Sequence, residues 1–562
     1  MNTTLPPAQR LVKLAFLALI IIGGLVGTLY ASYRGYIQWR QTRLLRQTRD
    51  HLARADLKQA VLTVRQAVQN APNDVPTCRL MAEVAERAGS PVAVFYRQRL
   101  VELQPEASTN RVLLAKTALA FSDYRVADQA LKDVPEAARQ NFDFHWTAAN
   151  LCLPTQRELE AETHLLAAMR FAPTNPAAPL KLAALRLQAS DTNRQHQARA
   201  LLLALRTNAT AKADALRMLT EDAGRSGQAT AALAYSAELF KNSEEFRDSL
   251  LRLQVVYRFQ REDYPARLVS LKARAKENPT QAFTLAQWLR SSGQTDDAEA
   301  WLKLVPETVR RQVPLAPLYA GALDKEADWA GLAAFLRGQQ WGRREPTRLL
   351  FAARAQRALG NPLGAAVEWR QALKTADKDP LALRELAEII EAWKWDTELL
   401  EILWQMHNSA PKDKAVFLAL SQQLMKAGNT AGLRTLFSRA SQAEPDNLAL
   451  KNNLVMTSLL LNAQDKASHQ LAREMFTAAP TNPIIVSTYA FSLYLQKQPA
   501  DALAAFAQLR PEQLMEPNVA AYYGLVLIAN GRSADAGKFL QAARQAKLLP
   551  EETALFAAKP GA

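Results

Sequence analysis

Residues 522–550, YYGLVLIANGRSADAGKFLQAARQAKLLP, have the spacing of two short helices joined by a tight turn. Tyr523 and Leu527 share one face of a first helix, and Gly531 stands where a left-handed residue ends a helix. The inner face of the second helix is predicted at Ala536, Leu540 and Ala543. Gly524 and Ala536 are small, as expected where two packed helices approach most closely. The stretch therefore predicts an antiparallel helix pair.

The same marks recur at a constant interval along the chain. Pro105 follows Pro72 by 33 residues, and Pro480 follows Pro445 by 35. Further units carry the marks Gly360, Ala365, Trp369 and Ala372, then Gly428, Leu433, Phe437 and Ala440, and near the N-terminus Ala60, Val64 and Ala67. In order and period these marks resemble the tetratricopeptide repeat, a helix-turn-helix unit of about 34 residues. The resemblance implies an all-α fold, a right-handed superhelical α-solenoid.

Composition agrees with a helical array and narrows the function classes. The chain has 562 residues, 49% hydrophobic and 22% charged, with only 20 glycines, which leaves little sequence for β-turns. Cys78 and Cys152 are the only cysteines, which is too few for a disulfide scaffold. Two cysteines also do not show whether the protein lies in a reducing or an oxidising compartment. The formal net charge is +15, but no dense basic run with interleaved aromatics occurs, so no nucleic-acid partner is expected.

An apolar run near the N-terminus predicts a membrane anchor. Residues 14–31, LAFLALIIIGGLVGTLYA, carry no charge and as a helix would rise about 27 Å, close to the thickness of a bilayer core. The aromatic residues expected at a membrane interface follow at Tyr30, Tyr33, Tyr36 and Trp39. A cleaved signal peptide is the alternative, but Leu29 stands where its cleavage site needs a small residue.

Five arginines after the span are expected to contact anionic lipid head groups: Arg34, Arg40, Arg43, Arg46 and Arg49. A solvated helix face is the alternative. The arginine count slightly favours a cytoplasmic location for the C-terminal bulk at a bacterial inner membrane, with a periplasmic location left open. Gly23 and Gly27 form a G-x-x-x-G pattern that is compatible with a homodimer.

These features divide the chain into six predicted segments. They are an N-terminal tail at 1–13, a transmembrane helix at 14–33, an N-terminal repeat block at 34–240, degenerate helical repeats forming a joint at 241–346, a C-terminal repeat block at 347–550 and a flexible tail at 551–562.

No constellation of residues points to catalysis, a cofactor or a metal. The six histidines, His51, His145, His164, His196, His407 and His469, show no metal-ligand spacing, and no glycine-rich phosphate loop occurs. Trp393 and Trp395 are predicted to fill the space between helices, with a stacking platform as the alternative. We therefore expect a protein that is not an enzyme.

The family resemblance implies a binding groove lined by the first helix of each unit. Mid-chain groove positions are basic, as at Arg354 and Arg357, whereas those near the C-terminus are apolar. The candidate partner-binding residues are Leu418, Met425, Leu460, Leu461, Phe491, Tyr494, Leu495, Leu525 and Ile528. An exposed apolar strip marks a partner site, unless the C-terminal tail or an adjacent turn of the superhelix covers it. No K-x-x-x-N pair occurs, so a clamp for a C-terminal carboxylate is not expected.

Together these observations predict a membrane-anchored scaffold that binds other proteins or peptides at a bacterial envelope membrane. Its partners would be proteins in the groove and a lipid bilayer around the anchor. The alternative is an accessory or regulatory subunit of a system for envelope polysaccharide or lipopolysaccharide synthesis or export, contacting glycan.

Overall fold

The computed structural model describes residues 32–557, which form helices and no strand. The chain divides into two compact units, with the boundary between Ala273 and Arg274. Unit 1 is helical at 32–53 (α1) and then contains α2 Leu57–Asn70, α3 Val75–Arg87, α4 Val92–Leu103, α5 Ser108–Ala120, α6 Tyr124–Lys132, α7 Phe142–Cys152, α8 Glu158–Phe171, α9 Ala177–Leu187, α10 Thr192–Leu205, α11 Lys212–Arg225, α12 Ala229–Asn242 and α13 Phe246–Phe259.

The boundary between the units lies within helix α14, Tyr264–Ala275. Unit 2 continues with α15 Pro279–Ser291, α16 Thr295–Lys303, α17 Glu307–Arg310, α18 Leu315–Lys325, α19 Trp329–Leu336, α20 Glu345–Ala358, α21 Pro362–Ala376, α22 Pro380–Trp393, α23 Asp396–Ser409, α24 Lys414–Lys426, α25 Thr430–Ala443, α26 Leu448–Leu461, α27 Lys466–Ala478, α28 Pro483–Leu495, α29 Pro499–Phe506, α30 Pro511–Leu514, α31 Pro517–Ala529, α32 Ser533–Ala543 and α33 Pro550–Ala557. The predicted boundaries at 240 and 346 stay a prediction.

Consecutive helices pack as pairs, and the first helices of neighbouring pairs also touch. In unit 1, α9 packs against both α10 and α11. In unit 2, α26 contacts α28, and α28 contacts α31. Each pair is therefore stabilised mainly by the pairs next to it, as in a repeat array. The all-α array of helix pairs predicted from the sequence is confirmed, while the handedness of a superhelix stays a prediction.

The pair formed by α31 and α32 has the features predicted for residues 522–550. Gly524 is buried at the crossing, where a Cβ atom would lie 2.8 Å from Cδ2 of Leu540. Gly531, the second residue after α31, has φ +74°, in the left-handed region. Both expectations about these glycines are confirmed.

The left-handed residue between the two helices of a pair recurs even where glycine is absent. Gly293 follows α15 with φ +81°, while Ala327 follows α18 with φ +56° and Lys394 follows α22 with φ +57°. L-residues adopt this conformation at some cost in free energy, so the surrounding helix packing must impose it. Two of these turns, at Gly293 and Ala327, lie in the 241–346 region, where the sequence marks are incomplete.

Helix α1 belongs to the packed array as well as following the predicted anchor. The side-chain amide of Gln41 donates to the carbonyl of Ala67 at 3.0 Å and to the hydroxyl of Thr77 at 2.6 Å. Leu44 and Leu52 are buried in the hydrophobic cluster that also contains Ala67. The chain is thus part of the helical packing from about residue 41 onward.

Within residues 32–557 the structure contains no helix that has both the length and the apolar character needed to span a bilayer. All but the last two residues of the predicted span 14–33 lie outside the described residues, as do Gly23 and Gly27. The anchor and the G-x-x-x-G contact therefore stay predictions.

Candidate functional site

A groove on unit 2 is lined by the first helices of four successive pairs. These helices are α24, α26, α28 and α31, and α25 adds Leu433 and Phe437 to the walls. The C-terminal segment, residues 547–557, closes one side through residues 547–549 and Glu552. The groove encloses about 290 Å³, and its lining includes Met425, Asn452, Ile484, Ser487 and Tyr522. We call this space the C-terminal groove. It combines apolar walls with a few polar atoms, as sites that recognise a ligand usually do.

The nine candidate partner-binding residues do not form one continuous exposed strip. Leu418 and Met425 are exposed on one face of α24, and Leu461 is exposed at the end of α26. The half-buried members are Leu460, Tyr494, Leu495 and Ile528. Phe491 and Leu525 are buried to 2% and 1% exposure, because α28 and α31 pack against each other there. Those two residues are part of the core, which corrects the expectation that they face a partner.

The C-terminal segment folds back onto the groove, whereas the sequence predicts a flexible tail at residues 551–562. Leu549 is buried in the cluster that contains Leu424 and Leu433. The ring of Phe556 lies edge-on to that of Tyr522, with centroids 5.6 Å apart. Residues 550–557 form a helix whose apolar side chains pack on unit 2, while residues 558–562 lie outside the described part of the chain.

Two acidic residues of the C-terminal segment receive hydrogen bonds from buried hydroxyls. Thr430 donates to the carboxylate of Glu551, and Tyr522 donates to that of Glu552. The backbone N–H of Leu549 also donates to Glu552, at 2.7 Å. Burial raises the pKa of Glu552 above its usual value, and burial together with the nearby Glu552 carboxylate raises the pKa of Tyr522. Both Tyr522 and Glu552 are buried, so the contact between them is shielded from water.

The tryptophan pair of unit 2 is covered by arginine side chains. The guanidinium of Arg354 lies 4.9 Å from the ring centre of Trp393, and that of Arg357 lies 3.7 Å from the ring centre of Trp395. Asp324 accepts hydrogen bonds from Arg354 at 3.1 Å and from the indole N–H of Trp393 at 2.9 Å. These contacts favour filling between helices over a stacking platform. They also engage the two arginines expected to face the groove.

Two histidines, His145 and His164, line a cavity of unit 1. Their spacing in the sequence does not predict that they are in contact. Nδ1 of His145 on α7 is 3.0 Å from Nδ1 of His164 on α8, and the ring of His145 stacks on Phe171. The two histidines are 19 residues apart, so only the antiparallel packing of α7 on α8 brings them together. In the part of the chain that the structure describes, no three His, Cys, Asp or Glu side chains are placed to hold one metal ion.

The histidine pair should make the stability of unit 1 depend on pH. Burial lowers the pKa of both imidazoles, and His164 lowers that of His145 further. Since the unfolded chain then binds more protons, we expect stability to fall as the pH is lowered from about 7 to about 5. Two protonated rings would also place N–H groups face to face. Thermal unfolding across this pH range measures the effect.

The matched variants for this prediction are His145→Gln with His164→Gln, and His196→Gln at an exposed position of α10. The double variant should flatten the loss of stability between pH 7 and 5, whereas His196→Gln should leave it unchanged. An equally steep loss in the double variant would show that other groups cause the pH dependence.

The face of α1 that points away from the array is aromatic and basic. Trp39 is 57% exposed, and the guanidinium of Arg43 lies 5.4 Å from its ring centre. The five predicted membrane-surface arginines, Arg34, Arg40, Arg43, Arg46 and Arg49, are all exposed. Tyr33 and Tyr36 are exposed as well. The structure brings these side chains together on one helix but does not test contact with lipid.

Comparisons with known proteins give no family for the chain. No protein-family model and no curated protein matches it. Among solved structures it is similar to pilF from Pseudomonas aeruginosa, with a TM-score of 0.31 and 14% identity, covering 39% of this chain and 97% of that chain. It is also similar to the APC/C hetero-tetramer Cut9-Hcn1, with a TM-score of 0.28 and 12% identity, covering 81% of this chain and 96% of that chain. A third similar structure is Naa15/Naa10 bound to HypK-THB, with a TM-score of 0.27 and 12% identity, covering 92% of this chain and 95% of that chain. Likenesses at these scores do not assign the chain to a family.

Proposed function

We propose that this chain is a membrane-anchored repeat scaffold that binds other proteins or peptides at a bacterial envelope membrane, and that it binds rather than catalyses. The observation that carries the proposal is the set of apolar side chains left exposed on the first helices of unit 2. Leu418 is 56% exposed and Met425 39%, both on α24, and Ile484 on α28 is 40% exposed. Met425 and Ile484 line the C-terminal groove, and exposed apolar side chains of this kind favour association with a partner.

The membrane part of the proposal rests on the apolar run at residues 14–31 and on the exposed arginines and aromatic residues of α1. Amphipathic aromatic rings and arginines next to an apolar span are typical of a membrane interface. The scaffold would then lie at the membrane surface and hold a partner close to the bilayer.

The glycan-binding alternative is not favoured by any specific observation. A carbohydrate platform needs free aromatic faces, and Arg354 and Arg357 lie over those of Trp393 and Trp395. A role beside a polysaccharide system would then depend on protein contacts.

The test of partner binding uses Leu418→Asp with Met425→Asp in the full-length chain. Both side chains are exposed, so the variant should keep its helical content while partners that co-purify with the wild-type chain are lost, because charge opposes burial of this face. Affinity purification followed by mass spectrometry measures the loss. Leu363→Asp is the matched control, since Leu363 on α21 is 81% exposed and does not line the groove. An unchanged set of partners in the double variant would contradict the proposal.

A further inference from the structure

The C-terminal segment packs against the helices of the C-terminal groove and forms one of its sides, as a bound peptide could. Its helix α33 follows directly on Leu549 and contacts Gly428, Thr430 and Tyr522 of unit 2. Pro550 lies against Gly428, where a Cβ atom would come within 2.8 Å of its Cγ. Thr430 at the start of α25 and Tyr522 on α31 bind its two acidic residues. The contacts are local and few, so another chain with the same groups could make them.

The groove selects for carboxylates at the start of a helix. Thr430 is 2% exposed and Tyr522 3%, so neither hydroxyl can turn to bulk water when the groove is covered. A buried hydroxyl without an acceptor is costly, and a carboxylate is a strong acceptor. Both acids lie in the first turn of α33, where a negative charge also favours the helix. An occupant therefore needs two successive acidic residues in its first helical turn.

Apolar residues on both sides of the acids complete the pattern. Leu549, just before the helix, is 6% exposed and packs among side chains of unit 2. Leu555 and Phe556, one turn after the acids, pack against the cluster that contains Phe491 and Tyr522. An occupant is thus an amphipathic helix with apolar residues at these spacings.

With the C-terminal segment in place, two buried polar atoms of the groove have no hydrogen bond from the described residues. Oδ1 of Asn452 and Oγ of Ser487 are buried, and no group of the described residues forms a hydrogen bond with them. Both residues line the groove, as Glu552 does. A longer occupant that carries a hydrogen-bond donor at this place would bind where the C-terminal segment does not.

We propose that the C-terminal groove binds an acidic amphipathic helix of a partner protein, and that residues 547–557 hold the same site until the partner displaces them. This inference rests on the proposed scaffold function and names the class of partner. The intramolecular segment has a high effective concentration, so it lowers the apparent affinity of every competing peptide.

The test releases the segment and offers it back as a free peptide. Leu549→Asp with Phe556→Asp is introduced in the full-length chain, with Ala554→Asp, at an exposed position of the same helix, as the matched control. The probe is a fluorescent synthetic peptide KLLPEETALFA, the sequence of residues 547–557. By fluorescence anisotropy we expect the released chain to bind it at least about tenfold more tightly than the wild type or the control.

Specificity for the acids is tested by changing both sides of the contact. A peptide with both glutamates replaced by alanine should bind at least about tenfold more weakly to the released chain. Adding Thr430→Val and Tyr522→Phe to that chain should weaken the acidic peptide but not the alanine peptide. Equal binding of the two peptides would overturn the proposal.

The remaining outcomes are also decisive. If hydrogen exchange shows that residues 547–557 stay protected in the Leu549→Asp, Phe556→Asp variant, the segment has not been released. A chain ending at Ala546 is then used as the released chain in the peptide-binding measurement. No gain in peptide binding by a released, folded chain overturns the proposal. Dimers that form by exchange of C-terminal segments would make a second copy the occupant and overturn the choice of a partner protein. Failure here combined with partner loss in Leu418→Asp, Met425→Asp would leave the scaffold function standing.

Discussion

Removing residues 1–33 is expected to move the chain from the membrane fraction to the soluble fraction. The deleted part contains the uncharged residues 14–31, whose transfer from water into a bilayer provides the main free energy of attachment. The helical array should survive the deletion, because the packing of α1 begins with Gln41 and Leu44. Fractionation by high-speed centrifugation, with circular dichroism of the soluble product, measures both effects.

The control replaces the five exposed arginines of α1 by glutamine and keeps the apolar run. This variant should stay in the membrane fraction. When residues 1–33 are also removed, the arginine-free chain should bind vesicles containing anionic lipid more weakly than the truncated chain that keeps its arginines, by roughly 1 kcal/mol for each arginine that lies near the surface. A truncated chain that still sediments with membranes would contradict a sole N-terminal anchor. Equal binding of the truncated chain to neutral and anionic vesicles would contradict the membrane-surface role of the arginines.

Gly524→Leu is expected to destabilise the C-terminal helix pairs by about 1–3 kcal/mol or more. The added side chain would start 2.8 Å from Cδ2 and 3.1 Å from Cγ of Leu540, so α31 and α32 would have to separate. Because each pair is stabilised by its neighbours, the loss should spread to α28 and to the docked segment α33. Chemical unfolding and hydrogen exchange of these helices measure it.

Gly537→Leu is the matched control, because Gly537 lies on α32 and, apart from the adjoining chain of its own helix, no atom lies within 4 Å of the position that a Cβ would take there. The change should be neutral or stabilising by about 0.5–1 kcal/mol, since leucine favours the helix over glycine. If both variants unfold at the same denaturant concentration as the wild type, the close approach at Gly524 does not contribute to stability.

The fold class was predictable because repeat marks are local. The spacing of Tyr523, Leu527 and Ala536 reports helix faces, and Gly531 reports a turn, without any knowledge of distant contacts. The turns at Ala327 and Lys394 were not predictable in this way, because their left-handed conformation is imposed by packing on residues that do not prefer it.

The candidate site was predictable only in part. Groove positions on a first helix follow from the repeat register, and Leu418 and Met425 are exposed as expected. Whether the side chain at such a position is exposed depends on which other helix packs over it, and the repeat register carries no information about that packing. Phe491 and Leu525 are therefore core residues, and the contact of Glu552 with Tyr522 joins residues 30 apart that no repeat mark connects.

Paired helices at a period near 34 residues can be read from the amino-acid sequence, because helix faces and turns depend on neighbouring residues. The apolar run that predicts an anchor is read in the same way. Three other features emerge only in the folded chain: His145 contacts His164, arginines cover Trp393 and Trp395, and the C-terminal segment forms one side of the groove. Each of them joins separate helices, so it depends on how those helices pack and not on the residues beside it in the sequence.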